Sequence, residues 1–232
     1  IGVLSRGYKR KTIGLVHVSN ASKVYEIGDE PFQLFKKHPE ISMIVAEKRS
    51  LGVQNFIDSD LVPDIILLDD IMQHRYIKSK IMILTTTYNL PYFSDTLLPS
   101  GNLREPISGK KRANIILINK CPNSLSIEKQ NIFLDRINAS RNQSVFFTRI
   151  NYGINIISEK NSMSLSLIKE SFLLVTGVAN PEPLKTFLAN SGFSFLHLSF
   201  PDHHSFSQRD LHKIKIQKNK KKILTTEKDF TR

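Results

Sequence analysis

The sequence predicts an α/β fold: a mostly parallel sheet with helices on both faces, and a smaller C-terminal α/β lobe reached through a hairpin-like linker. Two observations predict it. Short apolar, β-branched runs alternate with amphipathic segments, the pattern of βαβ units. One of these runs, Ile65-Ile66-Leu67-Leu68, leads straight into Asp69-Asp70. A core strand of this kind presents two carboxylates at its C-terminal tip, where open α/β sheets place their ligands. That is the form of a Walker B strand, whose acids hold a nucleotide-bound magnesium ion.

Taken along the chain, strands are expected at Ile1-Leu4, Thr12-Val18, Ile41-Ala46, Ile65-Leu68, Ile81-Thr85, Ile115-Asn119, Ser144-Thr148, Leu173-Thr176, Ser194-Leu198 and Lys222-Thr225. All are short and rich in residues that suit a pleated surface. Glu30 to Lys37 reads as a short helix, with Pro31 in its first turn. Ser126 to Ala139 carries Ile127, Leu134 and Ile137 on one face and charges on the other. Asn180 is expected to cap a helix with Pro181 at its first position, Leu184, Phe187 and Leu188 as its packing stripe and Gly192 as its stop. From Phe147 to Glu170 the pattern turns polar and alternating, with turn residues at Gly153 and Asn161-Ser162. The expected division is therefore a core over 1–146, an extended or hairpin-like linker over 147–170 and a C-terminal lobe over 171–232.

At 232 residues, 40% hydrophobic and 23% charged, the chain is long enough for a sizeable core and too apolar for a disordered one. Cys121 is its one cysteine, which excludes an internal disulfide, and no Cys/His spacing resembles a zinc site. No stretch approaches the ~20 apolar residues of a spanning helix. The net charge of +12 favours anionic partners such as nucleic acid, acidic lipid or phosphorylated substrate, although Lys9-Arg10-Lys11 and the lysines from Lys213 to Lys222 read equally well as solvated faces. The chain opens on Ile1 in a strand-like run and stops just after another, so it is expected to be a fragment.

The polar motifs each have a plain reading and a chemical one. Asp69 and Asp70 are strand-exit acids or metal ligands, and Gln73 and His74 follow them in a loop facing the same crevice. In Gly28-Asp29-Glu30-Pro31, Asp29 reads first as a helix cap and second as a carboxylate poised to take a proton. Arg104, in the Leu98-Pro99 to Pro106 loop, is either a surface side chain or a fork for phosphate oxygens. Asp202-His203-His204 suggests an imidazole oriented by an acid rather than a metal pair. Gly109-Lys110-Lys111 is no Walker A motif, and G-x-x-x-x-G-K-[ST] occurs nowhere in the chain.

Together and in this order, Leu4-Ser5-Arg6-Gly7-Tyr8, Gly28-Asp29-Glu30-Pro31, Asp69-Asp70 through Gln73-His74, Leu98-Pro99 through Pro106, Phe200-Pro201-Asp202-His203 and Thr226-Glu227-Lys228-Asp229 resemble the tetraacyldisaccharide 4'-kinase family, the lipid A kinases of Gram-negative bacteria. The resemblance implies a P-loop NTPase-like fold of two lobes and transfer of the ATP γ-phosphate to the 4'-hydroxyl of a tetraacyldisaccharide 1-phosphate. It implies a peripheral monomer on the cytoplasmic side of the inner membrane, meeting an anionic lipid surface and no nucleic acid. ATP and Mg2+ are the implied cofactors. By the same resemblance Asp69 and Asp70 hold magnesium, with Gln73 near the nucleotide. Asp29 is the general base, assisted by His203, and Arg104 steadies the transferring phosphoryl group. Tyr8, Glu30, His74 and Glu105 lie near substrate.

The chain departs from the family at Ile71-Met72, where glycine-phenylalanine is usual, so the turn after the two acids needs another backbone solution. Lys9 replaces a glycine, and His204 doubles the usual histidine. The family's membrane-associating helix and P-loop are expected before Ile1, so these residues alone are not expected to form a competent kinase. The alternatives are a basic α/β module that binds nucleic acid or anionic lipid without catalysis, and a phosphotransferase for a small molecule. Steep weakening by salt is the mark of nucleic-acid binding.

Overall fold

The apolar runs do become strands, but they assemble into several small sheets. In the computed structural model, which describes residues 1–158 and 161–231, the strands are β1 (Gly2–Ser5), β2 (Val16–His17), β3 (Ser42–Val45), β4 (Ile66–Leu68), β5 (Ile83–Thr87), β6 (Ile115–Asn119), β7 (Ser144–Phe147), β8 (Asn155–Ile157), β9 (Ser162–Ser164), β10 (Phe172–Thr176), β11 (Phe195–Ser199) and β12 (Ile223–Thr225). The helices are α1 (Val24–Ile27), α2 (Asp29–Lys37), α3 (Arg49–Ile57), α4 (Ile127–Ile137), α5 (Glu182–Asn190), α6 (Gln208–Lys218) and α7 (Glu227–Phe230). By contact the chain forms two compact units, one of Ile1–Asp69 with the segment from Tyr152 onward, the other of Asp70–Asn151. This partition differs from the chain-order division into 1–146, 147–170 and 171–232.

The first unit holds two parallel-rich sheets. In the order β2-β3-β1-β4, β1 pairs parallel with β3 and β4 while β2 runs antiparallel on β3. Successive residues of a strand point to opposite faces, and β1 uses both. Leu4 packs with Ile44 and with Phe56 of α3; Val3 packs with Met43 and with Phe35 of α2. The second sheet, β11-β10-β12, is wholly parallel, and every residue of its central strand β10 is buried. Phe172 and Leu174 meet Leu188 of α5 on one face, and Leu173 and Val175 meet Ile214 of α6 on the other. Burial on both faces explains why β10 reads as a continuous apolar run. The polar stretch after Phe147 contains the antiparallel pair β8–β9, whose Ile156 and Met163 pack on the Phe172 cluster.

The second unit is built on the parallel sheet β5-β6-β7. Ile116 and Ile118 of β6 are fully buried with Ile137 of α4, beside Tyr92 and Cys121. Burial raises the Cys121 thiol pKa, which keeps it in the neutral form. Lys110, from the glycine-lysine-lysine motif, donates to the Ile137 and Asn138 carbonyls at the C-terminus of α4. Its role is therefore to satisfy a helix end.

Several expectations are corrected. Only Val16–His17 of the Thr12-Val18 run is a strand, because it finds a partner only along β3. The strand leading to Asp69 is an edge strand with only one face on the core: among the described residues β4 pairs with β1 alone, Ile66 and Leu68 pack on the Leu4 cluster, and Leu67 between them is 54% exposed. Pro181, not Asn180, takes the cap position of α5, although the Asn180 Oδ1 still accepts the Glu182 N–H at 3.1 Å. The lysine run begins inside α6, whose start is marked by a capping box between Ser207 and Asp210.

Candidate active site

The site begins where two glycines bring two loops together. Gly7 has φ +69° and Gly28 φ +92°. A Cβ on Gly7 would stand 2.5 Å from the Ile27 carbonyl oxygen, and one on Gly28 would stand 3.0 Å from that of Tyr8. Only glycine supplies both the left-handed backbone and the close approach. Tyr8 and Asp29 are thereby fixed beside each other. The cap reading of Asp29 is corrected: Gly28 is the cap residue, with no side-chain cap bond, and Asp29 opens α2 as its first residue. Asp29 is only 7% exposed. Its Oδ1 accepts the Glu30 N–H at 3.0 Å, and its Oδ2 lies 2.8 Å from the Nδ1 of His203, 174 residues away in the chain.

His203 comes from the turn after β11 and holds φ +58°. Its N–H donates to Asp202 Oδ1 at 2.9 Å, its Nε2 lies 3.5 Å from Asp202 Oδ2, and its ring meets Tyr8 edge-on at 5.4 Å. An ionised carboxylate only accepts, so Nδ1 donates to Asp29 and sets the ring's tautomer and orientation. The neighbouring histidine is occupied otherwise. His204 lies 3.1 Å from Asp210 Oδ2 and stacks on Phe200 at 4.9 Å.

Asp210 itself is held down to about 2, first by the Ser207 hydroxyl, then by the Ser207 N–H and by His204. A carboxyl whose folded pKa is depressed stabilises the fold above its ordinary value and loses that effect as pH falls through the folded one. The α6 N-terminus should therefore loosen between about pH 4 and pH 2. Asp210→Asn should abolish that acid dependence, read by amide exchange across α6; an unchanged profile would contradict it.

A lysine left without a role by the sequence reading completes this cluster. Lys228 of α7 places Nζ 3.4 Å from Asp202, 3.7 Å from Glu30 and 3.9 Å from Asp29. It is delivered by a built turn: Thr226 caps α7, and the buried Asp229 accepts the Gly177 N–H at 2.9 Å and the Thr226 hydroxyl at 2.7 Å.

Asp69 stands exposed at the end of β4. The Ser5 hydroxyl donates to its Oδ2 at 3.0 Å, its N–H bonds the Leu4 carbonyl at 2.9 Å, and buried Arg49 bonds its carbonyl at 3.0 Å and that of Ala46. Ser5 and Arg49 are thus supports of the site to which local sequence assigned no role.

In the second unit Asp70 adopts φ +51°. Aspartate tolerates the left-handed region, so Asp70 itself makes the turn that Ile71-Met72 cannot supply through glycine. Arg104 forks onto it, Nη1 to Oδ2 at 2.9 Å and Nη2 to Oδ1. That bond to Asp70 raises the Arg104 pKa. Glu105 is gripped by Arg112 and lies 3.6 Å from Arg75; Arg112 also donates to the Met72 carbonyl at 2.7 Å. Gln73 and His74 sit on the turn between, where the His74 N–H bonds the Ile71 carbonyl at 2.8 Å.

Of the expected residues, Tyr8, Asp29, Glu30 and His203 are thus brought together in the first unit, where Ser5 holds Asp69. Asp70 and Arg104 meet in the second, with Glu105, Gln73 and His74 in the same unit. Among the described residues no group of three or more metal-ligating side chains occurs. Two consecutive carboxylates nonetheless fit magnesium, which keeps most of its waters and takes one or two protein acids besides phosphate oxygens.

Parallel strands with acids at the tip, an arginine fork and a buried carboxylate–imidazole pair suit phosphoryl transfer to a hydroxyl, and so a kinase of the P-loop NTPase-like class. The chain belongs to the LpxK family, tetraacyldisaccharide-1-P 4'-kinase, whose family model matches residues 1–232. It is 44% identical over 230 residues to a tetraacyldisaccharide 4'-kinase of Flavobacterium johnsoniae, covering 99% of this chain and 67% of the relative. The corresponding enzyme of Bacteroides fragilis is 39% identical over 246 residues, covering 100% of this chain and 65% of the relative. The crystal structure of "apo" form LpxK from Aquifex aeolicus in complex with ATP matches with TM-score 0.73 and 26% identity, over 99% of this chain and 69% of that one. The chain spans about two thirds of the length of these relatives.

Proposed function

We propose that this chain carries the acceptor-activating part of a lipid kinase that transfers the γ-phosphate of ATP to the 4'-hydroxyl of a tetraacyldisaccharide 1-phosphate, giving lipid IVA. The observation that carries the reading is the Asp29–His203 pair, a buried carboxylate 2.8 Å from an imidazole. A general base must be ionised, held in place and within reach of the proton it takes. His203 holds the Asp29 carboxylate while Tyr8 and Glu30 border the place where the sugar would lie.

In the proposed reaction the 4'-hydroxyl gives its proton to Asp29 and its oxygen attacks the γ-phosphorus. A new P–O bond forms as the bond to the β-phosphate bridging oxygen breaks, and ADP leaves with that electron pair. Arg104, whose planar fork already matches two oxygens of one carboxylate, would offer the same fork to the phosphoryl oxygens. Asp69 and Asp70 would hold Mg2+, which neutralises phosphate charge when bound. Gln73 is proposed near the nucleotide, and His74 and Glu105 near substrate. A non-catalytic binding module would leave the buried acid–imidazole pair without a use. The deciding experiment incubates the full-length protein with ATP, Mg2+ and the disaccharide lipid, and looks for a 4'-phosphorylated product by mass spectrometry. No product would overturn the reading.

The lipid acceptor places the reaction at an anionic membrane surface, proposed to be the cytoplasmic side of the inner membrane. Among the described residues no helix is long and apolar enough to cross a membrane. A peripheral contact is supported by α6 and the residues that follow it. Between Gln208 and Lys222 stand seven cations and one acid, Asp210, and that acid is turned back onto Ser207 and His204. Ile216 is 64% exposed among these cations. Each lysine near an anionic bilayer contributes about 1 kcal/mol. Neutralising Lys215, Lys218 and Lys220 together should weaken sedimentation with phosphatidylglycerol vesicles on the order of 100-fold, with no change on neutral vesicles. Unaltered binding would remove α6 from the contact.

A further inference from the structure

We propose that Lys228 is a positioning residue of the reaction, keeping Asp29 ionised and therefore able to accept a proton. The inference rests on the reading of Asp29 as the base. Asp29, Glu30 and Asp202 all lie within 3.9 Å of the Lys228 ammonium. A cation this close favours the ionised form of a carboxylate, and it does so most for one that is poorly solvated.

Burial decides which of the three depends on it most. The side chain of Asp29 is 9% exposed, against 33% for Asp202 and 58% for Glu30. Water stabilises the charged form of a buried carboxyl least, so Asp29 relies most on the neighbouring ammonium. The charged and titratable groups beside Asp29 include His203 and Asp202 from the turn after β11, Lys228 from α7, and Glu30 from its own helix. Tyr8 meets it through the His203 ring.

Lys228 does not reach this place by chance of a long side chain. Its ammonium is 20% exposed in side-chain terms, and α7 is tied down on both sides of it by the Thr226 cap and the buried Asp229–Gly177 bond. A merely solvated lysine would need neither tether.

The test is the pH profile of kcat/KM for the full-length protein with ATP, Mg2+ and the lipid. In Lys228→Met the acid limb should move up by about one pH unit. The rate then falls about tenfold on that limb and returns towards the wild-type value above it. Lys228→Arg should restore the original limb. Asp202→Asn keeps an acceptor for the His203 N–H and removes a competing acid, so its limb should move down; this variant serves if Lys228→Met does not fold. A limb that stays in place, or a loss of equal factor at every pH, would overturn the role of Lys228. If Asp29→Asn is inactive while the Lys228 limb is unmoved, only this inference fails. If Asp29→Asn stays active, the reading of the base beneath it fails.

Discussion

Asp29→Asn should lower kcat by about 100- to 10,000-fold, the usual contribution of a positioned general base, while leaving the fold intact. The amide is nearly the same size as the carboxylate and keeps an oxygen to accept the Glu30 N–H, which Asp29 Oδ1 accepts at 3.0 Å. Its NH2 group then faces His203 Nδ1, which must accept rather than donate, so the imidazole takes its other tautomer. What it loses is basicity: an amide cannot take the 4'-hydroxyl proton. KM for ATP should change little, because Asp29 has no proposed contact with the nucleotide. Burst and steady-state assays on the full-length protein, beside a thermal unfolding curve, separate the outcomes. A variant that folds normally and keeps its kcat would show that the acceptor is activated elsewhere.

Asp70→Asn should lower kcat by about 100- to 1000-fold, comparable with the removal of one group that stabilises developing charge in the transition state. Two consequences of the exchange reinforce each other. The charge that would help hold Mg2+ is removed, and Arg104 loses the carboxylate it grips with both nitrogens. Asparagine is the right test residue because Asp70 sits at φ +51°, a region asparagine tolerates and alanine does not. Asp70→Ala confounds backbone strain with lost chemistry, whereas Asp70→Asn keeps the turn. The variant should demand more Mg2+ for half-maximal rate. An unchanged rate and an unchanged Mg2+ titration would assign the metal to other groups.

The contrast between these two aspartates shows what a linear sequence reveals. Asp69-Asp70 stands out as a pair of strand-exit acids because strand, exit and acids are consecutive, so local pattern suffices to mark the position. The same holds for α4 with its Ser126 cap and for the buried run of β10. Asp29 is different. Its local setting reads as a cap, and its partner His203 lies 174 residues away. No spacing rule reports such a pairing; the order of family-like blocks suggested it, and only the fold brought the two side chains within a hydrogen bond.

The roles of Lys228, Ser5 and Arg49 escaped for the same reason. Lysine in a short charged segment looks like any solvated lysine, and serine at a strand end looks like any turn residue. Arg49 would be expected at the surface, yet it is 1% exposed and spends its guanidinium on the Ala46 and Asp69 carbonyls. The missed helix α6 did carry a signal, the Ser207-x-x-Asp210 capping box, overshadowed by the lysines that follow it.

By itself the sequence determined the α/β class, the positions of most strands and the residues from which a site could be drawn, since backbone preference and apolar periodicity act over a few neighbours. Tertiary structure alone decided that the strands divide among separate sheets, that His203 rather than His204 meets Asp29, and that one ammonium stands among three carboxylates. Those outcomes depend on burial and on charges brought within 4 Å from distant parts of the chain. Electrostatic energy follows distance in space, and that distance exists only once the chain is folded.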